Sequence, residues 1–169
     1  HKYYNPIWEL LHKLRAAMGN RDANYTLSDV IELDEGFFST EIPDEEKEKP
    51  LKRGRGSQKK SKVLVMVESR PVEEKTRKKG KSRQVGYLKM KVINDLKSET
   101  ITPLVKENVE ETATIDSDDS TSYTRLGEVV KEHHPKVIPK KEIGKMLPWV
   151  HIAISNAKRM LLNVFHDIK

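Results

Sequence analysis

The stretch Ser28-Asp29-Val30-Ile31-Glu32-Leu33-Asp34-Glu35-Gly36-Phe37-Phe38-Ser39-Thr40 decides the fold. Val30, Ile31 and Leu33, followed by Phe37 and Phe38, predict a first strand over 28–40. A strand this apolar belongs inside a sheet, yet it carries Asp34. A buried carboxylate is costly unless something positive compensates it. Asp34 is therefore either one half of an ion pair or a functional group.

Outward from that strand, Val63-Leu64-Val65-Met66-Val67 is apolar on both faces and predicts an interior strand. From Gly86 to Ile93, Tyr87, Lys89 and Lys91 alternate with Leu88, Met90 and Val92, the pattern of a half-buried strand. A helix is predicted over 98–109, with Ile101, Leu104 and Val105 facing inward. A short strand follows over 112–116, then a short helix over 123–132 and a short strand over 136–139. A long, largely apolar helix closes the chain from 145 to about 165. On the amino-terminal side, Asn5 and Pro6 open a helix and Gly19 ends it. Ile7, Trp8, Leu10, Leu11, Leu14 and Met18 share one of its faces, and Trp8 and Trp149 read as core. Residues 1–27 are thus a helix and linker, and 28–169 a single domain.

Three strands in succession imply an antiparallel meander, and the later alternation implies parallel strands joined by crossover helices. The expected fold class is α/β, a mixed five-stranded sheet flanked by helices. That is the plan of the ribonuclease H-like fold, in which the first and fourth strands are neighbours.

The chain has 169 residues, with 32 Lys+Arg, 26 Asp+Glu and no cysteine. Lack of cysteine excludes a disulfide framework, a cysteine-based zinc site and a thiol nucleophile in this sequence. No apolar run approaches the roughly 18–20 residues of a membrane-spanning helix. His1-Lys2-Tyr3-Tyr4 is not a signal peptide, and the chain reads as a domain cut at both ends from a larger intracellular protein. Its charge is uneven: 13 basic and 3 acidic residues fall between Lys52 and Arg83. Such a block attracts polyanions. Gly54, Gly56, Pro71 and Gly80 interrupt it, which argues against a basic amphipathic helix on a membrane. Nucleic acid is the expected partner.

Asp116, Asp118 and Asp119 lie at the end of the predicted fourth strand. Carboxylates from neighbouring strands repel each other unless a cation sits between them. Mg²⁺ favours such oxygen ligands, and a pair of ions can activate one oxygen of a phosphodiester reaction and stabilise another. The alternative is an Asp34 paired with Lys or Arg, and an ordinary turn over 116–120. Glu32 shares the Asp34 face and reads as a lysine partner rather than an auxiliary ligand. His151 reads as a hydrogen-bonded helix histidine, and His133-His134 beside Pro135 as a turn.

Three motifs together resemble the transposases of bacterial insertion sequences of the DDE superfamily, in the branch related to Merlin elements. Val30-Ile31-Glu32-Leu33-Asp34-Glu35, followed by aromatics, is similar to the strand of the first catalytic Asp. Asp118, five residues before Tyr123, occupies the second position, and that spacing favours it over Asp116. His151-Ile152-Ala153-Ile154-Ser155-Asn156-Ala157-Lys158-Arg159 places Asn156 in the third. Asn there, rather than Glu, resembles a known variant and offers a neutral carbonyl oxygen. The resemblance implies a transposase catalytic domain in which Asp34, Asp118 and Asn156 are catalytic and hold Mg²⁺ or Mn²⁺, with two ions expected. It implies cleavage of transposon ends, strand transfer into double-stranded target DNA, a homo-oligomer when active, and a bacterial cytoplasmic, nucleoid-associated location. Lys52, Arg53, Arg55, Lys59, Lys60, Lys78, Lys79, Lys158 and Arg159 are the expected DNA contacts. A DNA-binding module without turnover and a nuclease without strand transfer are the competing readings.

Overall fold

The computed structural model describes residues 4–42, 44–72, 82–137 and 143–164. Five strands form one sheet: β1 Val30–Ser39, β2 Lys60–Pro71, β3 Arg83–Ile93, β4 Thr114–Asp118 and β5 Glu132–Lys136, in the order β3-β2-β1-β4-β5. β1, β2 and β3 pair antiparallel, whereas β4 pairs parallel to β1 and β5 parallel to β4. The mixed sheet expected from the element order is therefore present. Among the described residues no helix is long and apolar enough to cross a membrane.

Each face of the sheet has its own core. Ile31, Leu33, Leu64, Met66 and Ile115 pack with Ile101 and Val105 of helix α2 (Ser98–Asn108). On the opposite face Phe38, Val63, Val65 and Val67 meet Leu147, Val150 and Ile154. The last two belong to helix α4 (Pro148–Val164), which follows the short helix α3 (Ile143–Met146). The long closing helix is thus broken in two, and Pro148 begins the second piece, a position where its missing N–H is no loss.

Four other expectations are corrected. Helix α1 (Tyr4–Asp22) runs through Gly19 and buries no residue, so Trp8, 51% exposed, is not core. A single glycine lowers helix stability by about 1 kcal/mol without forcing a stop. The helix expected over 123–132 is replaced by two single 3₁₀ turns, Thr121–Tyr123 and Leu126–Glu128. His133, His134 and Pro135 lie in β5 rather than in a turn. An edge strand tolerates proline, since its outer N–H has no ladder partner. On β3 the alternation holds at Met90, which packs against the second core, but fails at Lys89, which is buried, and at Val92, which is 75% exposed. Strand β3 is the other edge, and the cover of α4 does not reach Val92.

A bulge in β3 is held by one buried acid. The register slips between Val67 and Ser69, and the backbone N–H of Tyr87 donates to Glu68 Oε2 at 2.8 Å. Glu68 is fully buried, also accepts from the Ser28 N–H at 2.9 Å, and pairs with Arg70 at 2.6 Å. A Cβ at Gly86 would collide with this pair, lying 2.7 Å from Arg70 Nε. A side chain at this position would therefore displace the Glu68–Arg70 pair.

Candidate active site

Two rows of polar side chains cross the sheet face beneath α4. The register pairs Glu32 with Asp116 and Asp116 with His134. One step further up the parallel strands, Asp34 stands beside Asp118, which pairs with Lys136. Side chains two residues apart on a strand share a face, so all six point toward α4.

In the first row every charge has a partner. Glu32, 4% exposed, accepts from the backbone N–H groups of Trp149 and Val150 at 2.7 and 3.0 Å. Asp116 takes a 2.6 Å ion pair from Lys136 and a 3.3 Å contact from His134 Nδ1. Asp116 is thereby committed to a structural pair, which leaves Asp118 as the freer carboxylate.

The second row lines a cavity of about 380 Å³ that includes Asp34, Arg55, Asp118, Asp119, Lys136 and His151. Asp34 accepts the Glu35 N–H at 2.8 Å and faces His151 Nδ1 at 3.5 Å. Burial pushes the Asp34 carboxyl up to about 6; the Glu35 N–H opposes the rise and the Asp118 charge adds to it. Asp118 is also pushed up, by burial first, with Arg55 opposing. Its Oδ1 is buried with no hydrogen-bond partner. Behind the cavity, burial pushes up both the Glu35 carboxyl and the Tyr123 hydroxyl, which interact with each other.

Two adjacent carboxylates with raised proton affinity and one oxygen left without a hydrogen-bond partner fit a hard divalent cation. Mg²⁺ commonly takes one or two carboxylates and fills its remaining positions with water and substrate phosphates. Among the described residues no three acids or histidines are arranged to hold a metal ion by themselves. The fit is to a cation shared between protein and substrate.

The other expected site residues divide. Arg55 reaches the cavity from a 3₁₀ turn, Gly54–Gly56, whose Gly54 has φ +81°, a backbone that favours glycine. Lys158 lies half-buried over the Phe38 ring at 5.8 Å and draws the Asp34 proton affinity down. Lys52 and Lys60 line a larger basic cavity of about 760 Å³ with Lys49 and Lys62. Arg53, Lys59 and Arg159 are exposed. Lys78 and Lys79 fall outside the described residues. Asn156 is not brought to the acids: it is exposed, and five residues turn it about 140° around α4 from His151. His151 is instead the α4 side chain that meets Asp34. Its five-residue distance from Asn156 gave no sign of this, because contact with a strand 117 positions earlier is invisible to local spacing.

Searches of curated proteins and of solved structures give no match. The family model of the ISXO2-like transposase domain matches residues 26–169. That span contains the whole sheet, both cores and the acidic cavity, and the chain belongs to this family of DDE-type insertion-sequence transposase domains.

Proposed function

We propose that residues 28–169 form a ribonuclease H-like catalytic domain that cuts transposon ends and joins the freed 3′-hydroxyl to target DNA. Helix α1 precedes this unit, while Tyr25 and Leu27 of the linker pack into its core; the active form is a homo-oligomer in the bacterial cytoplasm, at the nucleoid. The observation that carries the reading is the Asp34–Asp118 pair at one cavity, with Asp118 Oδ1 lacking a hydrogen-bond partner. Mg²⁺ or Mn²⁺ bound there, two ions in the full site, would activate the attacking oxygen and stabilise the leaving one. The Glu35 N–H fixes the Asp34 carboxylate, and Arg55 supplies positive charge at the scissile phosphate. The same arrangement serves water in the cleavage step and a DNA 3′-hydroxyl in the joining step.

The test is incubation of the purified protein with DNA bearing the element's ends, with and without Mg²⁺. Nicking followed by joining to a second duplex is expected. Nicking without joining leaves a nuclease, and binding without nicking leaves an inactive module. The resemblance keeps Asn156 as the third catalytic position, with its exposed side chain turned around α4 from His151. Because its amide is exposed, Asn156→Ala should leave the melting temperature unchanged, within about 0.5 kcal/mol in stability. A loss of cleavage of about a hundredfold on that intact fold would assign it, and full activity would remove it.

Phosphate contacts are proposed for Lys52, Arg53, Arg55, Lys59, Lys60, Lys78, Lys79, Lys158 and Arg159. Each neutralised phosphate releases counterions, so affinity falls steeply with salt. Replacing Lys52, Arg53, Lys59 and Lys60 with Gln should flatten the log–log salt slope by up to about 0.9 for every phosphate no longer neutralised. An unchanged slope would place the DNA elsewhere on the molecule.

A further inference from the structure

Nothing in the motifs gives Glu32 a role of its own, yet it is the most thoroughly committed acid on the α4 side of the sheet. Its carboxylate is 4% exposed and lies at the start of α4, where Oε2 accepts from both Trp149 N–H and Val150 N–H. The first N–H groups of a helix have no partner within the helix, and a carboxylate is the acceptor that satisfies them best. Such caps usually come from the residue just before the helix. Here the cap comes from 117 positions away in sequence, on β1. Further along α4, apolar packing continues the same junction, with Ile154 within reach of Gly36 on β1.

The position of this clamp matters. Asp34 is two residues after Glu32 on the same strand face, and His151 directly follows Val150. Fixing Glu32 to the Trp149 and Val150 amides therefore fixes the separation of Asp34 and His151, which stand 3.5 Å apart. It also sets where Lys158, two turns further along α4, meets Phe38. We infer that Glu32 is a positioning residue: it docks the amino end of α4 onto the catalytic strand and thereby holds the helix side chains against the metal-binding acids. This rests on the proposed role of Asp34. It assigns Glu32 neither as a lysine partner nor as an auxiliary metal ligand.

Two variants and three measurements test it. Glu32→Gln keeps a carbonyl oxygen that can accept both amides but removes the charge; Glu32→Ala removes the acceptor. In Glu32→Ala, hydrogen exchange at the Trp149 and Val150 amides should rise at least tenfold, with β1 and β2 amides unchanged. Mn²⁺ affinity, read by electron paramagnetic resonance, should stay within about threefold, because Asp34 and Asp118 sit on strands. The kcat for DNA nicking should fall by about ten- to a hundredfold. Glu32→Gln should restore both amide protection and kcat to within about threefold of the native protein. Should Gln behave like Ala and both lose Mn²⁺ affinity, Glu32 is a ligand and the inference fails. Unchanged exchange at Trp149 and Val150 in the Ala variant overturns it as well. If amide protection is lost in Glu32→Ala and restored in Glu32→Gln but no protein nicks DNA, the clamp stands and the catalytic reading of Asp34 is what fails. An Ala variant too unstable to purify leaves the decision to Glu32→Gln, whose amide protection and Mn²⁺ affinity separate an acceptor from a ligand.

Discussion

Asp34→Asn should abolish metal-dependent nicking while making the metal-free protein harder to unfold at neutral pH. In the proposed site, loss of one of the two carboxylates that would hold the metal removes several kcal/mol of transition-state stabilisation, so a fall of about a thousandfold or more is expected. The stability gain follows from the raised proton affinity. Asp34 titrates near 6 in the fold against an ordinary 3.8. Below the ordinary value it is protonated in both folded and unfolded chains and carries no penalty. As pH rises toward and past 6, the unfolded chain ionises more readily and folding loses up to about 3 kcal/mol. Asn has no charge to bury, so its variant should melt higher at pH 7, with the difference shrinking at pH 4. Mg²⁺ should raise the melting temperature of the native protein at pH 7 and leave the variant nearly unmoved. A variant that still nicks DNA, or that melts lower than the native protein at pH 7, would remove Asp34 from the site.

Arg55→Ala should lower nicking by about a hundredfold at unchanged stability, the scale of losing one positioned cation at a reacting phosphate. The side chain is exposed, but it faces the acidic cavity and acts electrostatically on both Asp34 and Asp118. No core packing depends on it, so a change in melting temperature is not expected. Arg55→Lys should recover part of the loss only, since an ammonium lacks the guanidinium's planar fork. The informative comparison is with Arg53→Ala, two residues away and absent from the cavity lining. If both variants weaken DNA binding equally and neither changes kcat, Arg55 is one more phosphate-binding side chain and not a group at the reacting centre.

The sheet was legible because its inner strands carry unmistakable chemistry. Val63 to Val67 can only be interior, and the Val30–Phe38 stretch fixes its neighbour; the pairing of β1 with β4 then follows from connection rules. Asp34 beside Asp118 is a consequence of that pairing, but strand position alone leaves Asp116 and Asp118 as alternatives, and it is the resemblance, through the distance to Tyr123, that favours Asp118. The short outer strands were less readable. β4 begins two residues later than expected and β5 four residues earlier, because Glu132-His133-His134-Pro135-Lys136 has no apolar period to mark it. The stretch 123–132 has helical composition, but Tyr123 and Leu126 each anchor a separate turn in the core, with Thr124 and Arg125 between them. On α1 the apolar stripe of Ile7, Leu11, Leu14 and Met18 is real, yet amphipathicity states that a face wants burial and does not supply what buries it. Lys89 shows the reverse failure. Its Nζ lies over the Tyr25 ring at 4.9 Å and 3.2 Å from Asn108 Oδ1, so a lysine occupies a buried position that polarity alone assigns to solvent.

The parallel register of β1 and β4 also governs which changes of chain length the domain can survive. A strand presents alternate residues to opposite faces, so deleting or inserting a single residue within Val30–Asp34 or within Thr114–Asp118 would carry one acid through the sheet to the side of α2. Core neighbours such as Leu33 or Ile115 would turn over with it, so core packing and the acid pair would be lost together. Added residues in the connection from Asn94 to Lys97 leave the register untouched, since loop closure depends only weakly on length. Drift in such a lineage is therefore expected to accumulate as insertions in its connections, while the two short strands change by substitution alone.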